Sequence, residues 1–313
     1  MHSCAWSISR LATSFSAAAL AAIAVLGCHG QNGVPARVSG MAAARARHHD
    51  AVDATVASSD GVPIRYHTEG EGASALVFVH GWGCDRSHWT EQVAHFSADH
   101  LAVSLDLAGH GDSGKDRKSW TLQACGEDVR AVVLALDLRR VVLVGHSMGG
   151  AVILEAARLM PERVIGLVGV DTFHNVERRI DPAQAEALVS RWDKDFAGTA
   201  KEMVAMLLPK VPDPTFKARI EAQMAAAPPD IALPLLRAQL AYDLATAFER
   251  VHAPIRVINT TSPTDVEAGH RHCPGFAAVD LSPLGLGHFP MITAPALFDE
   301  KLAEVLRGLE TAL

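Results

Sequence analysis

Val141-Val142-Leu143-Val144-Gly145-His146-Ser147-Met148-Gly149-Gly150 is the stretch that decides how this chain reads. Its first four residues form a short apolar run rich in β-branched side chains, suited to a strand buried on both faces. The alanine-rich segment after Ser147 predicts a helix that ends before Pro161. Between them stands a Gly-x-Ser-x-Gly pattern. A strand that turns so abruptly into a helix holds its central residue in a strained backbone conformation, and neighbouring Cβ atoms would collide; Gly145 and Gly149 remove those atoms. The turn lifts the Ser147 hydroxyl to the carboxyl end of the strand, where open α/β sheets place ligands. The helix N-terminus behind it offers N–H groups to a developing anion. Ser147 is therefore the candidate nucleophile.

Outward from this point, strand-like and helix-like stretches alternate, which predicts an α/β fold, a mainly parallel sheet with helices on both faces. Ala54 to Ser58 and Pro63 to Thr68 flank the turn Asp60-Gly61 as an N-terminal hairpin. Ala75 to Val79, Leu101 to Asp106 and Val164 to Val170 read as further strands, followed late in the chain by Ile255 to Asn259 and Ala277 to Leu281. Leu122 to Leu136 carries Cys125, Val129, Val132, Val133 and Leu136 at helical steps, and an amphipathic helix from Pro295 closes the chain. The segment from about residue 172 to 251 has little β-branched content and is interrupted by Pro209, Pro212, Pro214, Pro228, Pro229 and Pro234. It reads as a small helical cap inserted into the sheet domain.

The N-terminus differs in kind. Arg10 closes a short polar region, and Leu11 to Gly27 is an alanine-rich apolar run, so residues 1–28 read as a secretory signal. The run ends in Val25-Leu26-Gly27-Cys28, which is similar to a bacterial lipobox. Lipidation of Cys28, simple cleavage nearby and an uncleaved anchor remain open, the run being short for a membrane span. The expectation is an exported protein, periplasmic or membrane-anchored in a bacterium. Residues 29–52 have no hydrophobic period and read as a flexible linker, with the folded domain, 53–313, beginning near Asp53.

Composition narrows the function classes. In 313 residues, 49% are hydrophobic and 20% charged, enough for one large folded domain. A net charge of -7, with no long basic run, lacks the electrostatic footprint of a nucleic-acid binder. Cys84, Cys125 and Cys273 permit one disulfide at most, and spacing does not select it. No Cys/His spacing suggests zinc; His48 and His49 lie in the linker, and His270 and His272 in a polar loop. No metal and no cofactor is expected. Oligomeric state is not legible.

Three more segments fit beside Ser147. His80-Gly81-Trp82-Gly83 follows the strand Ala75 to Val79, and His80 is expected to hydrogen-bond within its own turn. Gly109-His110-Gly111-Asp112-Ser113 follows Leu101 to Asp106 and reads as structural. Gly285-Leu286-Gly287-His288-Phe289-Pro290 brings the only histidine after the last strand. A neutral imidazole at His288 can take the serine proton and return it to a leaving group.

With its HGW, GHSMGG and GHFP motifs, the chain resembles the α/β-hydrolase superfamily over about residues 53–313, on its serine hydrolase and esterase branch. That resemblance implies a nucleophile, acid, histidine order and a cap between the sixth and seventh core strands. It also implies that the backbone N–H groups of Trp82 and Met148 form an oxyanion hole. For the acid it leaves two choices. Asp265 lies past the strand Ile255 to Asn259, where most of the family keeps its acid, but the usual glycine is absent and Asp265 falls late, beyond Pro263. Asp171 stands at the end of Val164 to Val170, a position some relatives use, and is the favoured choice. The chemistry expected is hydrolysis of a carboxylic ester, or a related acyl bond, in a small-molecule substrate, with water as the second reactant. A noncatalytic binding protein on the same fold, and a perhydrolase or carbon–carbon bond hydrolase using the same three residues, are the alternatives.

Overall fold

β1 (Val52–Ala57) and β2 (Pro63–Glu69) fold back on each other around Asp60 and Gly61, the glycine at φ +88° as the tight turn requires. The computed structural model describes residues 51–311. From β2 onward the chain builds β3 (Ala75–Val79), α1 (Thr90–Phe96), β4 (Leu101–Leu105), α2 (Leu122–Ala135), β5 (Val141–His146), α3 (Met148–Leu159) and β6 (Val164–Val170). The inserted helices follow: α4 (Pro182–Lys194), α5 (Phe196–Leu207), α6 (Pro214–Ala225), α7 (Pro229–Leu240) and α8 (Leu244–Glu249). The chain then returns through β7 (Ile255–Asn259), α9 (Val266–His272), β8 (Ala277–Asp280), α10 (Pro290–Thr293) and α11 (Pro295–Glu310).

The described strands form one eight-stranded sheet in the order β1-β2-β4-β3-β5-β6-β7-β8, antiparallel at β1, β2 and β4 and parallel from β4 to β8. Every residue of β3 and β5 is buried, so helices cover both faces at the centre of the sheet. On edge strand β8 no residue is fully buried. Phe78, Trp89, Phe96 and Phe298 pack as one aromatic group, with Phe78 and Trp89 ring centroids 5.1 Å apart. Elsewhere the buried Arg117 guanidinium is held by Asp128, Asp60 and the Ser58 hydroxyl, which keeps its charge paired.

In the insertion, Asp181, Asp195, Asp213 and Asp243 cap α4, α5, α6 and α8 by accepting backbone N–H bonds, and Pro182, Pro214 and Pro229 occupy first-turn positions. Those prolines start helices. Pro234, read above as a break, lies inside α7 and does not end it.

Four local readings need correction or completion. The sheet begins at Val52, inside the stretch read as linker, because Val52 pairs with Thr68 in the β1–β2 ladder. The segment around Trp89 forms a 3-10 turn, Arg86–Trp89, leading into α1, which the sequence reading did not resolve. His270 and His272 belong to α9 rather than a loop, where His272 contacts Glu249 and Glu177, and His270 contacts the Phe276 carbonyl. Cys84, Cys125 and Cys273 are buried free thiols. The stretch read as signal and lipobox, Cys28 included, and nearly all of the linker lie outside the described residues.

Candidate active site

Ser147 joins β5 to α3 with φ +54° and ψ -117°, a conformation an L-residue adopts only when its surroundings impose it. The imposition is visible in the glycines. A Cβ on Gly145 would lie 2.4 Å from the Gly149 carbonyl oxygen, and one on Gly149 would lie 2.6 Å from that of Val79 and 2.7 Å from that of His80. The bend is thus pressed against the end of β3. A Cβ on Gly81 would meet the Ser147 Cβ at 3.1 Å, so the turn carrying Trp82 runs directly beside the serine.

Asp171 follows β6 immediately, at φ +45°, and its carboxylate is buried. Oδ1 accepts the backbone N–H groups of Thr260 (2.8 Å) and Thr261 (2.9 Å), and Oδ2 accepts the Thr261 hydroxyl (2.9 Å). Oδ2 also accepts from His288 Nδ1 at 2.5 Å. Because a carboxylate can only accept, Nδ1 carries a proton, so that in the neutral ring Nε2 is the nitrogen with the lone pair. Burial pushes the Asp171 carboxyl up, but the hydrogen bond and charge of His288, with the Thr260 amide, outweigh it and hold the group well below the ordinary carboxylate range. His174 Nε2 stands 3.7 Å from Oδ1.

The His288 loop is tied down along its backbone. Its N–H donates to the Leu207 carbonyl of α5 (3.0 Å), the Thr260 hydroxyl donates to the Gly287 carbonyl (2.7 Å), and His146 Nε2 donates to the His288 carbonyl (2.8 Å). The His146 and His288 rings lie 4.6 Å apart, which places His288 beside the residue preceding Ser147. Burial, then the neighbouring His288, depress the His146 pKa, so that ring is neutral with an unprotonated, unpartnered Nδ1 among the described residues. The Ser147 hydroxyl makes no hydrogen bond to His288 in this arrangement; such contacts commonly close only when substrate is bound.

The remaining site residues sort clearly. Asp265 makes no bond to the imidazole: it caps α9 through the Ala268 N–H (2.9 Å) and accepts from the Asn175 side chain (3.1 Å). His80 is buried, donating from Nδ1 to the Gly81 carbonyl and accepting the Leu107 N–H at Nε2. His110 bonds the Ala108 carbonyl. Trp82 directs its indole N–H to the Ala232 carbonyl of α7 (2.8 Å) and packs edge-on to Trp192 of α4, so the insertion is docked onto this turn. Thr260, Thr261 and His146 were missed from sequence. Adjacent threonines directly after β7, where the family's acid loop falls, were the available signal.

A cavity of about 220 Å³ opens on Ser147 and Met148 and runs under the insertion past Thr172, Tyr242 and Leu244. Among the described residues, no group of His, Cys, Asp and Glu is arranged to hold a metal ion. A larger cavity of about 430 Å³ lies elsewhere, lined by Asp85, Arg86, Asp106 and Asp112. Its arginine is already engaged by Asp106 and Asp112.

Comparison with known proteins agrees with this fold. The family model described as the alpha/beta hydrolase family matches residues 76–300. The chain is 43% identical over 98 residues to the dihydrolipoyllysine-residue acetyltransferase component of the acetoin cleaving system of Pseudomonas putida, covering 31% of this chain and 26% of that protein. It is 38% identical over 105 residues to the pimeloyl-[acyl-carrier protein] methyl ester esterase of Edwardsiella ictaluri, covering 34% and 39% respectively. The matches thus span only about a quarter to two fifths of these relatives. Bromoperoxidase from Bacillus anthracis superposes with a TM-score of 0.71 over 82% of this chain and 100% of that one, at 21% identity. The family match covers most of the chain, and the protein belongs to the alpha/beta hydrolase family.

Proposed function

We propose that the protein is a serine hydrolase that cleaves a carboxylic ester, or a closely related acyl bond, through an acyl-enzyme on Ser147. The observation that carries this reading is the 2.5 Å bond from His288 Nδ1 to the buried Asp171 carboxylate, with the His288 ring 4.6 Å from that of His146, the residue before the strained serine. In the first step Ser147 Oγ attacks the substrate carbonyl carbon while its proton passes to His288 Nε2. Asp171 holds the tautomer and stabilises the imidazolium that forms. We assign the backbone N–H groups of Trp82 and Met148 to the developing oxyanion, an interaction worth about 2.7–4 kcal/mol for a single donor in comparable sites. Collapse of the tetrahedral intermediate breaks the bond to the leaving group, which receives the proton from His288. Water then repeats the sequence on the acyl-enzyme and regenerates the serine.

Ester chemistry accords with the name of the pimeloyl-[acyl-carrier protein] methyl ester esterase to which part of the chain is similar. A panel of p-nitrophenyl esters of graded acyl length, run beside S147A, tests the proposal. We expect turnover of the shorter esters and its loss, by several orders of magnitude, in the variant; hydrolysis that persists in S147A, or none by the wild type, would refute it.

A further inference from the structure

Arg178, with Ile180, lies between the Ser147 cavity and a second groove of about 410 Å³, because both residues line each of them. It is the only charged side chain among the described residues lining the Ser147 cavity; the remainder are apolar or neutral, Met148, Ala151, Leu240, Asn175 and Gln239 among them. The guanidinium has no carboxylate partner among the described residues. Other arginines are paired, Arg179 with Asp243, Arg191 with Glu202, Arg237 with Glu186 and Arg271 with Glu177, whereas Arg178 shares its lack of a carboxylate with Arg219 and Arg250 but, unlike them, lines the Ser147 cavity. The segment that presents it is also pinned on either side. Glu177 is held by Arg271 and His272, Asn175 donates to Asp265, and Arg179 donates to Asp243 and to the Val176 carbonyl. Both neighbours of Arg178 are thus bonded, and its own backbone N–H donates to the Asn175 carbonyl (3.3 Å), while its guanidinium donors are uncommitted among the described residues. The Gln239 side chain, on the same cavity, likewise makes no hydrogen bond to a described residue.

A planar guanidinium with five donors matches a carboxylate bidentately, and at the mouth of a partly apolar cavity it attracts an anion more strongly than it would in open water. We propose that Arg178 is a specificity residue, and that the preferred substrate is an ester whose molecule carries a carboxylate at the end remote from the scissile bond. This inference rests on the ester hydrolase reading of Ser147 and names the substrate class for that site.

The test compares matched esters that differ by one carboxylate. Monoethyl succinate, glutarate and adipate, against ethyl butanoate, pentanoate and hexanoate, place the charge on the acyl side; 4-acetoxybutanoate against butyl acetate places it on the alcohol side. We expect at least one anionic ester to exceed its neutral counterpart about tenfold in kcat/KM, mainly through KM. That ratio should fall to near one in R178A, and below one in R178E. A wild type that favours every neutral ester, or an R178A that loses both members of a pair in equal proportion, overturns the inference and leaves the hydrolase reading standing. Absence of turnover of every ester, together with no labelling of Ser147 by a fluorophosphonate, overturns both. Labelling without turnover is decided by protection: dicarboxylates should slow labelling of the wild type severalfold more than that of R178A, and equal protection counts against Arg178.

Discussion

At Asp171 the chain spends two backbone N–H groups and a hydroxyl to hold one carboxylate in a single orientation. An exposed carboxylate would satisfy itself with water; this one is buried and must be fully bonded within the protein. Substituting Asn keeps the shape but reverses the hydrogen-bond sense toward His288, so D171N should lower kcat by about 10⁴-fold. D265N should change kcat little, because Asn serves nearly as well at the head of α9. Steady-state kinetics on one ester checks the pair. Thr261→Val removes a hydroxyl bonded to a charged group, a contact worth about 1.5–3 kcal/mol at most, and we expect kcat/KM to fall roughly tenfold as the carboxylate loosens. At this scale Ser147 and His288 were legible in the sequence as candidates, and Asp171 as the favoured of two acids, because each stands at a strand end or glycine turn that constrains its position. Asp265 competed because the family keeps its acid in that loop, and only coordinates show the side chain turned to its own helix. Arg178 carried no local pattern at all, since an uncommitted charge is defined by what surrounds it in space.

The elements that carry these residues are placed by close approaches between backbones. Gly126 of α2 faces α3, and a Cβ there would lie 2.7 Å from the Glu155 Cβ and 3.0 Å from the Ala156 nitrogen. Alanine would gain about 1 kcal/mol of helix propensity, yet forcing the two helices apart typically costs about 1–3 kcal/mol. G126A should therefore lower the urea midpoint despite the better helix former, and lower activity too, because α3 begins at the residue after Ser147. The parallel strands could be read from their β-branched apolar runs. Element ends were less legible. Prolines in the insertion mark helix starts as well as breaks, and the short α1 and α9 have too few residues for a clear period.

For the whole molecule, buried histidines couple stability to pH. Burial is the main cause that lowers His80 to about 4 and His110 to about 3, only partly offset for both by nearby Asp85 and, for His110, by Asp106. A depressed folded-state pKa means that the contribution to stability is present above about pH 6.5 and is lost as pH falls toward those folded values. The loss attached to His80 alone is of order 3 kcal/mol between pH 6.5 and 4. Urea midpoints should drop over that window, and H110Q should flatten the drop; a midpoint independent of pH would remove this account. At the same scale, export with a lipid tether at Cys28 predicts palmitate labelling that disappears in C28A. The fold rests on the sheet; the function rests on Ser147 being the reacting atom's owner. Treating the folded protein with a fluorophosphonate and mapping the adduct by mass spectrometry tests that most directly: the account predicts one adduct, on Ser147, formed far more slowly in H288A, whereas an unmodified protein, or an adduct on another residue, would contradict it.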